Sequence, residues 1–203
     1  MDFKLASAAD GLLRKSLKEH WSAAAAFREI VAFASSKHRS AAWKKVAKIE
    51  VGEDLDRLTT QLAKVFAKKP PPKNINGFWF GLFEDVDAGW TLYACGSRRY
   101  KTSGSLEWAV QPDWWPEGPY LTSKVLKQLT GVRPQKDFDT SWLIETCAIF
   151  PYAAIAVTEA LRRIDPARLL GSAPKRGVAC GFDAGDCFNI GELTKQGLRI
   201  HAR

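Results

Sequence analysis

Apolar residues recur at spacings of three and four through the first third of the chain. Leu13, Leu17, Trp21, Ala24, Phe27, Val31 and Ala34 form one such stripe. It predicts a single long helix over residues 10–36, with Asp10 as N-cap and Ser35-Ser36 as its stop. The run Ala23–Ala26 favours helix intrinsically. A shorter helix follows over Ala41–Lys48, with Trp43, Val46 and Ala47 inward and Lys44, Lys45 and Lys48 outward. A third covers Glu53–Lys68, striped by Leu55, Leu58, Leu62 and Phe66. Its acidic start and basic end suit the helix dipole. Pro70-Pro71-Pro72 then supplies no backbone donors and ends helical structure.

Beyond the prolines the period changes to two. Gly77–Glu84 and Trp90–Gly96 read as strands joined by the hairpin loop 84–89, and Leu106–Val110 as a third strand. Residues 97–105 form a basic loop, and 111–119, with Pro112, Pro116 and Pro119, an irregular one. Tyr120–Leu129 and Trp142–Ile164 are helical in pattern, the latter kinked or restarted at Pro151. Gly177–Phe182 and Phe188–Ile190 make a last pair of strands. The class is α+β: a basic helical N-terminal region followed by a small antiparallel sheet packed with helices. The expected divisions are a helical region 1–69, a Pro-rich linker 70–76 and an aromatic-rich α+β region 77–203, the two regions being free to pack as one domain.

Aromatic residues sharpen this picture. Residues 77–120 hold 11 of the 23 aromatic side chains, including five of the eight tryptophans. Rings are the largest single stores of burial energy in a chain, so this stretch nucleates the core. Phe78, Phe80, Trp90 and Trp108 are assigned to that core. Trp114 and Trp115, held between prolines, are different: adjacent side chains of an extended segment point to opposite sides. One ring of such a pair can bury, but both Trp114 and Trp115, fixed between Pro112 and Pro116, are expected to be the rings a protein partner meets.

Charge is unevenly distributed. The chain carries a net +8. Residues 1–73 contain 15 Lys/Arg against 8 Asp/Glu, while the remainder is nearly balanced. That asymmetry fits an anionic partner or, more simply, a solvated lysine-rich helical face. The longest apolar run, Cys147 to Val157, is interrupted by Pro151 and too short to cross a bilayer. The first ten residues lack the apolar core of a signal peptide. A cytoplasmic protein with no membrane partner is expected. Cys95, Cys147, Cys180 and Cys187 are irregularly spaced and read as buried small apolar residues, with no metal and no cofactor expected.

A search for chemistry is mostly negative. His20, His38 and His201 stand apart, and His-Glu-x-x-His, Gly-x-Ser-x-Gly and the P-loop pattern do not occur. Arg98, Arg99 and Lys101 around Tyr100 form the best anion-binding candidate, able to hold a phosphate and stack a base. Asp183 and Asp186, three apart in a glycine-containing turn, are the best carboxylate pair. They can share a cation or work as acid and base, against the simpler reading of turn residues bonding their own backbone.

The succession Gly77-Phe78-Trp79-Phe80-Gly81-Leu82-Phe83, Asp113-Trp114-Trp115-Pro116-Glu117-Gly118-Pro119-Tyr120 and Gly181-Phe182-Asp183-Ala184-Gly185-Asp186 resembles small bacterial immunity proteins of secreted toxin systems. The likeness covers residues 77–190. It implies a non-enzymatic cytoplasmic inhibitor that binds and blocks one cognate toxin, and it brings no catalytic residues with it. The basic N-terminal region departs from the acidic surfaces common among inhibitors of nucleases. The resemblance therefore implies a target face that is acidic, or a contact that is mainly aromatic and apolar. Two other readings stand beside it: a nucleic-acid-binding protein using the N-terminal lysines with Arg98, Arg99 and Lys101, and a small enzyme with its carboxylates at Asp183 and Asp186.

Overall fold

A computed structural model of the chain describes residues 1–100, 106–109, 111–183 and 187–201. Lys101 and Asp186, two of the candidate site residues, lie outside the described residues. The N-terminal stripe forms two helices, α1 (Phe3–Lys18) and α2 (Ala23–Lys37), not one. Asp2 caps α1 by accepting the Leu5 N–H at 3.0 Å. Asp10 sits inside the helix, paired to Arg14 at 2.8 Å. The break comes at His20, whose φ of 57° is left-handed. His20 N–H donates to the Leu17 carbonyl and Trp21 N–H to that of Ser16, the bond pair that closes a helix around a left-handed residue. Ser22 at once caps α2 through the Ala25 N–H. Both helices bury the same core, so the apolar period runs on across the break.

Two further helices complete the N-terminal part, α3 (Ala41–Val46) and α4 (Gly52–Lys68). Strands β1 (Gly77–Asp85) and β2 (Gly89–Ser97) form the expected hairpin. Asp85 Oδ1 holds its tip by accepting the Asp87 and Ala88 N–H groups at 2.9 and 2.8 Å. Residues 106–109, expected as strand, form a short 3₁₀ turn. The expected helix from Tyr120 opens instead with a two-residue strand, β3 (Tyr120–Leu121), and its helix is α5 (Lys124–Val132). Helix α6 (Phe138–Ile144), a π turn at Glu145–Ile149 and α7 (Phe150–Arg163) follow one another directly, with Pro151 just past the π turn inside a helix that continues through it. Helix α8 (Pro166–Leu170) and strands β4 (Lys175–Phe182), β5 (Cys187–Thr194) and β6 (Gly197–Ile200) complete the chain.

The class is α+β. One six-stranded sheet has the order β3-β2-β1-β4-β5-β6. It is mixed: β1 and β4 run parallel, and the other pairings are antiparallel. Local hairpins could supply only the antiparallel pairs; the parallel one needs the long crossover through α5–α8. Alternate residues Phe78, Phe80 and Leu82 of β1, Leu92 and Ala94 of β2, and Val178 and Cys180 of β4 face the helices. Helices α1, α2, α4 and α7 share one continuous core with them. The apolar run 147–157 lies at its centre. The continuous helix Phe138–Arg163 is long and apolar enough to cross a membrane by length and composition, and it is largely buried inside the fold.

The proline segment joins this core through Arg176, which has no solvent exposure. Its guanidinium donates to the carbonyls of Ile75, Pro71, Pro72 and Leu170 and lies over the Phe78 ring at 5.2 Å. Burial pulls its pKa down to about 10, which leaves it cationic at neutral pH. Prolines offer acceptors but no donors, and the two terminal nitrogens of one guanidinium meet that need. Arg176→Ala leaves these carbonyls unpaired around a cavity. A loss of ~3–5 kcal/mol is expected in urea unfolding, with Arg176→Lys losing less; a loss under ~1 kcal/mol would show that the clamp is incidental.

Candidate functional site

The second face of the sheet carries the sequence's other aromatic set. Trp79, Cys95 and Ala179 point away from the helices and gather Trp108, Ala109, Tyr93 and Tyr100 into a small separate cluster. This face is laid on glycines. Gly81 stands opposite Tyr93 on β2 and Gly181 on β4. A Cβ on Gly81 would fall inside the Tyr93 ring, and one on Gly177 inside the Tyr100 ring. Each tyrosine thus lies flat across its glycine, where any side chain would lift it.

Tyr93 is the organiser. Lying over Gly81, it brings its hydroxyl to Asp183 at the end of β4, donating to Oδ1 at 2.5 Å. Tyr93 Oη in turn accepts the Trp79 indole N–H at 3.1 Å. Burial first, then the Asp183 hydrogen bond, push the Tyr93 hydroxyl well above the ordinary tyrosine range. Trp115 stacks on the Tyr93 ring with centroids 5.4 Å apart and planes 26° apart. Tyr120 and Phe83 meet edge-on at 5.6 Å, and both rings approach Tyr93. Trp115 remains 42% exposed and Tyr120 58%.

A strap, residues 111–121, positions these rings along the free edge of β2. Gly96 and Trp114 exchange backbone hydrogen bonds of 2.9 and 3.0 Å. Asp113 Oδ2 accepts the Arg98 N–H at 2.8 Å. Ala94 N–H donates to the Pro119 carbonyl, and β3 completes the edge. The prolines suit this place, since an edge segment need not donate outward. Alternation then separates the tryptophan pair. Trp114 turns inward, 4% exposed between Phe66 and Phe78, so the expectation that both rings face a partner fails for Trp114, and only Trp115 of the pair stays at the surface.

The other candidates are scattered. Arg98 and Arg99 are exposed just past β2, and Arg99 bonds Gln111. They lie near the strap and hence near the C-terminal end of α4, where Lys68 reaches Glu117 at 3.7 Å. The basic residues of α3 adjoin the other end of α4. Seventeen helical residues separate these ends, about 25 Å at 1.5 Å per residue. The lysines of α3 therefore do not form one face with Arg98 and Arg99. Asp183 is exposed beside Tyr93, and its relation to Asp186 falls outside the described residues.

Cys95, Cys147 and Cys180 are buried, which raises all three thiols, Cys95 to about 12 and Cys147 to about 11. They are protonated at neutral pH. Among the described residues no three His, Cys, Asp or Glu side chains converge on a metal position. Sequence reasoning missed Tyr93, Tyr120, Phe83 and Trp79. Their signal was present in the outward alternation Trp79, Gly81, Phe83 of β1, set against Tyr93 and Cys95 of β2.

The Gly81–Tyr93 packing is directly testable. Gly81→Ala must displace the ring, at an expected cost of ~1–3 kcal/mol. A hydroxyl whose folded pKa is raised contributes stability that is present below the ordinary value near ~10 and lost as pH rises through the folded pKa. Alkaline spectrophotometric titration should therefore find one more tyrosine ionising in the ordinary range in Gly81→Ala than in the wild type. Identical titration curves would show that Tyr93 does not depend on the glycine. Comparison of the chain with protein-family models, with curated proteins and with solved structures finds no match.

Proposed function

We propose that this is a non-enzymatic binding protein of the immunity type, which neutralises a cognate bacterial toxin through the outer face of its sheet. The observation that carries this reading is the rigid, half-exposed aromatic platform of Trp115 and Tyr120 on Tyr93 and Phe83. Such rings offer large contact area with little side-chain entropy to lose. Here both are pre-set, Trp115 by stacking and by Pro116, Tyr120 by β3 pairing and Pro119. Binding energy is then not spent on ordering them. A cytoplasmic site of action belongs to the same proposal.

A second reading, nucleic-acid binding, draws on Lys37, Arg39, Lys44, Lys45 and Lys48. All five are exposed, and residues 30–49 contain no carboxylate. It would rest on the α2–α3 end alone.

Trp115→Ala with Tyr120→Ala should leave far-UV circular dichroism and urea unfolding close to wild type. It should weaken capture of the toxin partner by two orders of magnitude or more, as expected on losing two aromatic anchors of ~2 kcal/mol each. Equal capture by this double variant would contradict the platform. Binding instead to a DNA or RNA duplex, falling steeply with salt and lost on neutralising Lys44 and Lys45, would favour the second reading.

A further inference from the structure

We propose that the basic end of the molecule binds a phosphate group between Arg39 and Lys44, with Ser40 as a third donor. The site lies apart from the sheet's outer face and stands whether or not that face binds a toxin. It starts from an imbalance of charge pairing. Lys37, Arg39, Lys44, Lys45 and Lys48 are all exposed, and among the described residues none of them is ion-paired. Arginines elsewhere are matched: Arg14 by Asp10, Arg133 by Glu84 and Glu145, and Arg163 by Asp56 and Glu159.

Two clefts beside α3 separate these cations. One contains Lys45 and Lys48 together with Glu50, Glu53 and Asp54, so its cations share their cleft with carboxylates. The other, of about 570 Å³, is lined by Ser35 of α2 and by Arg39, Ser40, Trp43 and Lys44. Among the described residues no carboxylate lines it.

The local backbone brings Arg39 and Lys44 together. Ser40 opens α3 by accepting the Ala42 N–H at 3.3 Å. Arg39 precedes it, and Lys44 is the fourth residue of the helix. Side chains at these two positions meet, which is why an apolar pair often occupies them. Here the pair is two cations on one cleft. Left alone they repel one another, and an anion between them replaces that repulsion with two attractions. A phosphate group suits the donors: the guanidinium offers a two-pronged contact to its oxygens and the ammonium a point charge. Ser40 Oγ is an acceptor toward Ala42, so its own proton remains to be donated. Trp43, 2% exposed, gives the cleft an apolar floor, beside which charge pairs are screened less. The site is made of side chains and uses none of the N–H groups of α3.

The test titrates inorganic pyrophosphate into ¹⁵N-labelled protein at constant ionic strength, while the backbone amides of residues 39–44 and the Trp43 indole N–H are followed. Saturable shifts are expected, with a dissociation constant on the order of millimolar. Arg39→Gln with Lys44→Gln should weaken binding about tenfold or more. Lys45→Gln with Lys48→Gln removes the same charge and should weaken it less than about twofold. The first pair of substitutions relieves repulsion, so the urea midpoint should not fall, and lost binding is then not lost folding. Absence of saturation in the wild type, or equal losses in the two double variants, overturns the proposal. A thymidine oligonucleotide then identifies the source of the phosphate. Displacement of pyrophosphate by it, at concentrations well below that of the pyrophosphate, assigns the site to a nucleic-acid backbone. Pyrophosphate that stays bound against it assigns the site to a free phosphate compound, and the nucleic-acid reading falls while the site stands.

Discussion

The outer face of this protein depends on a contact between a ring and the absence of a side chain. Tyr93 can lie flat only because its cross-strand neighbour is Gly81. From that placement follow the hydroxyl's reach to Asp183, the acceptor for Trp79 and the surface on which Trp115 stacks. Gly177 does the same for Tyr100 one strand further on. A glycine in a strand normally weakens it; here each is covered by a ring that restores the lost burial. The sheet thereby gains a second, thinner apolar layer on the face the helices leave open. The exposed rings of the strap rest on that layer.

Behind the sheet the requirements are different. Helix α7 is buried nearly all round, with Ala153, Ala154, Ala156 and Ala160 allowing close approach of its neighbours. Two charged groups drawn into this interior are held by hydrogen bonds on the spot. Asp54, 2% exposed, accepts from Tyr152 Oη at 2.6 Å, Ser123 Oγ at 2.5 Å and the Lys124 N–H at 2.8 Å. It ties α4 to the start of α5 and to α7, and its charge, after burial, raises the Tyr152 hydroxyl far above its ordinary range. Arg176 plays the corresponding part for the proline segment, a cation answered by carbonyls and a ring instead of a carboxylate. Carbonyl dipoles arranged around a buried charge replace the hydration it loses.

Much of this was legible from local pattern. Helices α3, α4 and α7, the first hairpin and the β4–β5 pair follow from periodicity and turn residues, and Phe78 and Phe80 lie in the core as expected. What was not legible depended on long-range neighbours. The stop at His20 is masked because the apolar stripe serves the same core on both sides; the local mark it leaves is Ser22, the N-cap of α2. The 3₁₀ turn at 106–109 has strand-like composition, but its tryptophan is claimed by the outer cluster. The parallel β1–β4 pairing is a tertiary event. At the site, the Trp114-Trp115 pair was visible as a candidate, and alternation then fixed which ring turns inward. Tyr93 was hidden because its importance comes from Gly81 across the ladder, and Arg176 because its partners lie about a hundred residues away.

Together these features describe two surfaces of opposite character at separate places: a basic helical end around α3 and an aromatic, anionic face on the sheet. The proposed binding function falls on the second. Amide hydrogen exchange on the complex with the captured partner separates them most directly. The account predicts new protection in the strap, at Trp115, Glu117, Gly118 and Tyr120, with residues 37–48 unchanged. Protection confined to residues 37–48, with the strap exchanging as in the free protein, would contradict it.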